Sequence, residues 1–175
     1  WAGLEDEVAR VATGLGDAGV VGGQRVLIAL GNRIELVTAY LGALRAQVVA
    51  VPVNPTSTAG ELARMVADSG SRLALADPTT LPAVRAAVAE VTRAAAGGQS
   101  DLDPELVGRA LPVRVVALDE EPAAGELAWE ALRAADPRPV PRLRDPEKLA
   151  CLLYTSGTSG RRGAAMLTHR ALLAN

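Results

Sequence analysis

The chain has 175 residues, enough for one domain with a sizeable core, and 49% of them are apolar, which excludes a disordered polymer. A formal net charge of -2, scattered arginines and an aromatic content of 2% exclude a general pull toward nucleic acid or anionic membranes. Cys151 is the only cysteine, so no internal disulfide forms and a cytoplasmic, reducing setting is expected. No apolar run reaches the length of a membrane span, and the N-terminus carries no signal-peptide pattern.

Taken in order, residues 4–15 place Leu4, Val8, Val11, Ala12 and Leu15 on one helical face, with acids in the first turn where the helix dipole favours them. Gly19 and the Gly22-Gly23 pair end that helix. Residues 25–30 read as a buried strand. Asn32 is a candidate N-cap for an apolar helix over 34–46, with Ile34, Val37, Leu41 and Leu44 in phase. A second strand spans 48–53. Thr58 and Glu61 then make the spacing of a capping box, and the helix they open runs to about Ser69. Residues 72–76 form a third strand, and 82–96 a helix. Residues 97–111 form a surface loop with a short helix at 104–109, 113–118 a fourth strand, and 126–135 a short helix.

Strand and helix thus alternate with a unit of about two dozen residues, the rhythm of an α/β fold with a layered, mostly parallel sheet wound with helices. Residues 136–146 hold four prolines and three arginines and read as an extended, solvated connector. It delivers the chain to an apolar strand over 149–153. A strand over 164–167 and a helix over 169–175, capped by Thr168, complete the pattern.

Between the last two strands lies a run made only of glycine and hydroxyl side chains: Thr155, Ser156, Gly157, Thr158, Ser159 and Gly160, followed by Arg161 and Arg162. Glycine lets a backbone approach a ligand closely, and turned amides with hydroxyls make an anion cradle. The same residues also suit a plain polar turn between two strands, and composition alone leaves both readings open. Neither a Walker-type lysine motif nor a Gly-x-Gly-x-x-Gly after a strand is present.

The stretch Tyr-Thr-Ser-Gly-Thr-Ser-Gly-Arg-Arg-Gly-Ala-Ala-Met-Leu-Thr-His, residues 154–169, resembles the phosphate loop of the AMP-forming adenylating enzymes. That family includes acyl-CoA synthetases, peptide-synthetase adenylation domains and luciferases. Ser159 replaces a threonine of the family pattern, Arg162 a proline, Gly163 a lysine and Ala164 a glycine. Arg161 or Arg162 could supply the charge of the missing lysine, though not its reach or geometry. Upstream, residues 19–32 and 41–55 resemble two further family segments, with Gln24 for Asp and Gln47 for Gly. The Val-Pro-Val-Asn-Pro wording is more similar to acyl-CoA synthetases than to peptide-synthetase domains.

The resemblance implies a partial N-terminal domain of the acyl-CoA synthetase-like fold. Residues 1–175 would be a truncated N-terminal AMP-binding domain, with 136–148 as its extended Pro/Arg-rich connector. It implies a ligase that joins a carboxylic (fatty) acid to ATP as an acyl-adenylate and passes the acyl group to coenzyme A. Thr155, Ser156, Gly157, Thr158, Ser159, Gly160 and Arg162 would bind the phosphates, and Thr155 would join a Mg²⁺ shell. The family's remaining catalytic segments lie downstream of this loop, so these residues alone are not expected to complete adenylation. Two other readings stand beside this one: a non-catalytic binding or interaction module on the same fold, and an unrelated α/β phosphate-binding protein. His169 reads as a helix-start residue rather than a base, and Cys151, Tyr40 and Trp129 as packing. Exposed sheet edges would favour self-association.

Overall fold

A computed structural model describes residues 1–133, 136–155 and 163–174. In chain order the elements are α1 (Ala2–Asp17), β1 (Arg25–Ala29), α2 (Ile34–Arg45), β2 (Val49–Pro52), α3 (Ala59–Ser69), β3 (Ser71–Ala76), α4 (Leu81–Ala95) and α5 (Pro104–Arg109). There follow β4 (Arg114–Ala117), β5 (Leu127–Ala128), a 3-10 turn (Trp129–Leu132), β6 (Leu149–Tyr154), β7 (Ala164–Thr168) and α6 (His169–Leu173). Among the described residues the strands form one sheet, in the order β5-β4-β3-β1-β2-β6-β7. All neighbours run parallel except β6 and β7, which form an antiparallel pair.

Both faces of the sheet are covered, which is why its central strands are continuous apolar runs rather than alternating ones. On one face Val26, Ile28, Ala50, Leu73 and Leu75 meet Val11 and Leu15 of α1 and Ala39 and Ala43 of α2. On the other, Leu27, Ala74 and Val115 meet Leu62 and Val66 of α3 and Val84 and Val91 of α4. Each such Leu or Val, fully buried, contributes about 1.5–3 kcal/mol of transfer free energy.

The capping box is present: Thr58 Oγ1 accepts from Glu61 N at 3.3 Å, and Glu61 Oε2 accepts from Thr58 N at 2.9 Å. Thr168 caps α6, its hydroxyl accepting from Ala171 N at 3.2 Å. Three expectations need correction. The α2 cap falls at Arg33, not Asn32, and makes no side-chain cap bond. α2 buries Thr38, Ala39, Gly42 and Ala43. Its large in-phase residues Ile34, Val37 and Leu41 instead face outward, at 63%, 41% and 36% exposure. Small residues win the inner face because α1 crosses close by: a Cβ on Gly42 would lie 2.6 Å from Val11 Cγ1.

The short helix expected over 126–135 is instead β5, paired with Val116 and Ala117, and a 3-10 turn that buries Trp129 and Leu132. As expected, the connector has no regular structure and no buried residue over 136–146, and it is also tied down at a few points. Arg138 N donates to Thr13 Oγ1 at 2.9 Å, and the Arg138 guanidinium pairs with Asp17. Further on, Gln47 Nε2 donates to Pro141 O at 2.9 Å. Among the described residues no helix is long and apolar enough to cross a membrane.

Candidate functional site

In wound α/β sheets ligands sit at the carboxyl ends of the strands, often where the strand order reverses. Here the order reverses between β1 and β3. That crevice is filled by the protein itself. Asp77, 5% exposed, takes N–H groups from Gly31 at 2.8 Å, Thr79 at 2.9 Å and Thr80 at 3.1 Å. The Thr80 hydroxyl donates to Ala29 O at 2.6 Å. These bonds tie the carboxyl end of β1 to that of β3.

An open position lies two strand gaps across the sheet, at the carboxyl ends of β2 and β6. A cavity of about 400 Å³ is lined there by Pro52, Val53, Asn54, Ser57, Met65, Tyr154 and Thr155, among others. Asn54 already accepts from the amide and hydroxyl of Thr56, at 2.9 and 2.8 Å, which fixes the turn after β2. The rim is therefore polar and preorganised, and the floor of Val53, Met65 and Tyr154 is apolar.

The glycine and hydroxyl run departs from a β-hairpin neck. Tyr154 pairs with Ala164 across the two strands, and Thr155 N donates to Gly163 O at 3.2 Å. The Thr155 hydroxyl reaches the same carbonyl at 3.4 Å, a long contact that leaves it available to a better acceptor or to a cation. Ser156, Gly157, Thr158, Ser159, Gly160, Arg161 and Arg162 lie outside the described residues. Of the expected site residues, Thr155 is thus the one the structure places, exposed beside the cavity.

Tyr154 anchors the base of this neck. Its hydroxyl donates to Asp68 Oδ2 of α3 at 2.6 Å and lies 3.5 Å from Met65 O. Burial, then the Asp68 carboxylate, pushes its pKa well above that of a free phenol, so it stays a donor. From sequence alone Tyr154 suits packing or a substrate contact equally, and Asp68 and the cavity lining other than Asn54 gave no sign of themselves. The signal available was Asn54, a polar residue directly after a buried parallel strand.

His169 opens α6, and its amide donates to Lys148 O at 3.1 Å. Burial lowers its pKa, so the ring is neutral at pH 7, and its Nε2 is buried without a partner among the described residues. Cys151 is 1% exposed and its thiol pKa is raised by burial, which makes it core and not a nucleophile. Tyr40 packs in the neighbouring core, where burial pushes its hydroxyl up to about 12.

The sequence pattern of the family described as "AMP-binding enzyme" matches residues 1–175. The chain is 32% identical over 171 residues to 3-hydroxybenzoate–CoA ligase of Aromatoleum sp. (strain CIB), covering 97% of this chain and 29% of that protein. It is 30% identical over 164 residues to 4-coumarate–CoA ligase 5 of Oryza sativa subsp. japonica, covering 94% of this chain and 26% of the relative. Among solved structures, ATP-bound MatB from Rhodopseudomonas palustris superposes with a TM-score of 0.72 at 27% identity, over 99% of this chain and 30% of that one. The benzoate CoA ligase of Burkholderia xenovorans LB400 shares the fold with a TM-score of 0.74 at 23% identity, over 98% of this chain and 29% of that one. The chain therefore spans between a quarter and a third of the length of these relatives. With the family pattern running its whole length, and its glycine and hydroxyl run leaving the end of a parallel strand, the chain belongs to the AMP-binding enzyme family.

Proposed function

We propose that this chain is the part of an ATP-dependent acid–CoA ligase that receives the nucleotide's phosphates. In the whole protein's reaction an acid's carboxylate oxygen attacks the α-phosphorus of ATP and pyrophosphate leaves. The coenzyme A thiol, losing its proton, then displaces AMP from the acyl carbonyl. A carboxylate is a poor electrophile; AMP gives it a good leaving group. The protein's task is to stabilise charge on the departing pyrophosphate with fixed donors.

In this reading Thr155, Ser156, Gly157, Thr158, Ser159, Gly160 and Arg162 hold the β- and γ-phosphates. The observation that carries it is the exposed, loosely held Thr155 hydroxyl beside an open cavity at the end of β6. A hard hydroxyl oxygen next to phosphate oxygens suits Mg²⁺, with Thr155 as its protein contact. Among the described residues no cluster of His, Cys, Asp or Glu offers a separate metal site. Bound there, Mg²⁺ would neutralise phosphate charge. The acid is an organic carboxylic acid; the relatives named for 4-coumarate and 3-hydroxybenzoate support an aromatic one as well as the fatty acid expected from sequence. A cytoplasmic location belongs to the same reading and rests on the single buried thiol.

Calorimetric titration with MgATP tests the site. Thr155→Val is expected to weaken binding about tenfold, the loss of one hydrogen bond to a charged group. Arg162→Ala should weaken it further at low salt than at high salt. No binding by the folded chain, or binding indifferent to both changes, refutes the site. The second reading, a non-catalytic binding module, draws on Gly163 standing where the family has lysine. Nucleotide binding without acid-dependent ATP–pyrophosphate exchange in the whole protein would favour it.

A further inference from the structure

The opposite end of the sheet carries a second cavity, of about 330 Å³, at the amino ends of β1, β2 and β6. Arg25, Gln47 and Lys148 give it its polar groups, and Val49 and Leu149 its apolar wall. Its size is at the lower bound for small-molecule sites. Leu149 and Tyr154 are opposite ends of β6, about 16 Å apart at a strand's rise, so this is not the Thr155 site.

Three observations converge here. First, Arg25 Nε is buried and has no hydrogen-bond partner. The same guanidinium spends Nη1 on Gly23 O at 3.2 Å. Nothing in this arrangement offsets the positive charge, so the guanidinium still attracts an anion at the cavity it lines. Second, no carboxylate lines the cavity, and among the described residues no ion pair neutralises Arg25 or Lys148. Arg25 acts on the Tyr154 hydroxyl through its charge, but the neighbouring acid, Asp68, takes that hydroxyl as its partner. Third, the rim is fixed at a strained position. Gln47 has φ 57, a left-handed conformation that residues with side chains rarely adopt. Its carbonyl accepts from Gly23 N at 2.8 Å and its side-chain amide donates to Pro141 O at 2.9 Å. The left-handed turn is the one that ends α2, with Gln47 N donating to Leu44 O and Val48 N to Ala43 O, so this side of the cavity is fixed in place.

We propose that this cavity binds a compact organic oxyanion, its negative head between Arg25 and Lys148 and a short apolar body against Val49 and Leu149. Carboxylate and phosphate heads share that chemistry, since the planar guanidinium pairs with either. The apolar wall selects against a bare inorganic ion.

Amide NMR of the chain, titrated separately with butyrate and with inorganic phosphate, tests this. The expected result is saturable shifts at Gly22, Gly23, Gln47 and Leu149, with those at Thr155 unmoved. Butyrate should bind more tightly than phosphate, and phosphate binding as tightly as butyrate would overturn the role given to the apolar wall. Arg25→Gln should weaken binding at least tenfold, and Lys148→Gln several-fold, with affinity falling as salt rises. Lys148 is exposed, so its substitution leaves the fold intact and carries the test even if the Arg25 variant does not fold. Linear, non-saturating shifts, shifts scattered over the surface, or equal affinity in Lys148→Gln would each overturn the proposal.

Discussion

Asp77 shows how one side chain can close a crevice that the topology offers to ligands. Burial alone would push its carboxyl up; the amides of Gly31, Thr80 and Thr79, with the charge of Arg33, outweigh that and hold it below the ordinary aspartate value. The unfolded chain therefore binds a proton more readily than the folded one. The stabilisation is present above the unfolded pKa of about 3.9 and is lost as pH falls through the lower folded value. Asp77→Ala takes the carboxylate acceptor from the Gly31 and Thr79 amides, while Thr80 N keeps Asp77 O at 3.1 Å, and should cost about 1–3 kcal/mol in urea unfolding at neutral pH. The gap between wild type and variant should narrow below about pH 4. An unchanged gap at pH 3 would show that the carboxylate's charge is not what the amides hold. Asp77 was not legible in the sequence. It looks like any acid before a turn, and its partner Gly31 is 46 positions away.

Elements were legible where their signals were local. The Thr58–Glu61 box and the Thr168 cap are short patterns with a mechanism, and both are made as spaced. The orientation of α2 was not, because periodicity tracks large side chains while close helix packing is set by small ones. β5 gave no signal at all: two residues become a strand only by pairing with Val116 and Ala117. Among the described glycines the tightest approach is at Gly14 of α1, where a Cβ would lie 2.0 Å from Leu132 O of the 3-10 turn. That neighbour is backbone and cannot rotate away. Gly14→Ala should therefore destabilise by about 1–3 kcal/mol or more, although alanine is the better helix former. A melting temperature at or above wild type would refute that packing.

At the scale of the molecule, the sheet formed by the described residues has two unequal edges. β5 is two residues long, whereas β7 offers five, Ala-Ala-Met-Leu-Thr, with no charge or proline to discourage pairing. Met166 is 70% exposed on it. Self-association through this edge is expected, with sedimentation coefficients that rise with concentration. Met166→Lys should return the chain to a monomer; association unchanged by that substitution would move the contact elsewhere. The site's position was half legible: the glycine and hydroxyl run marked the loop, but its cavity depends on α3 and the turn after β2, which no local pattern joins to it.

The site also has a place in the order of folding. β6, which bears Thr155 at its tip, reaches the sheet through Ala50 and Cys151, residues 101 positions apart. Pairings so distant along the chain form late, because a long loop must close before any contact rewards it. During synthesis β2 therefore stays an uncovered border of the nascent sheet until Cys151 leaves the ribosome. The strand that carries the loop is also the one that seals that border, so a chain stalled upstream of it lacks both the site and its shield against aggregation.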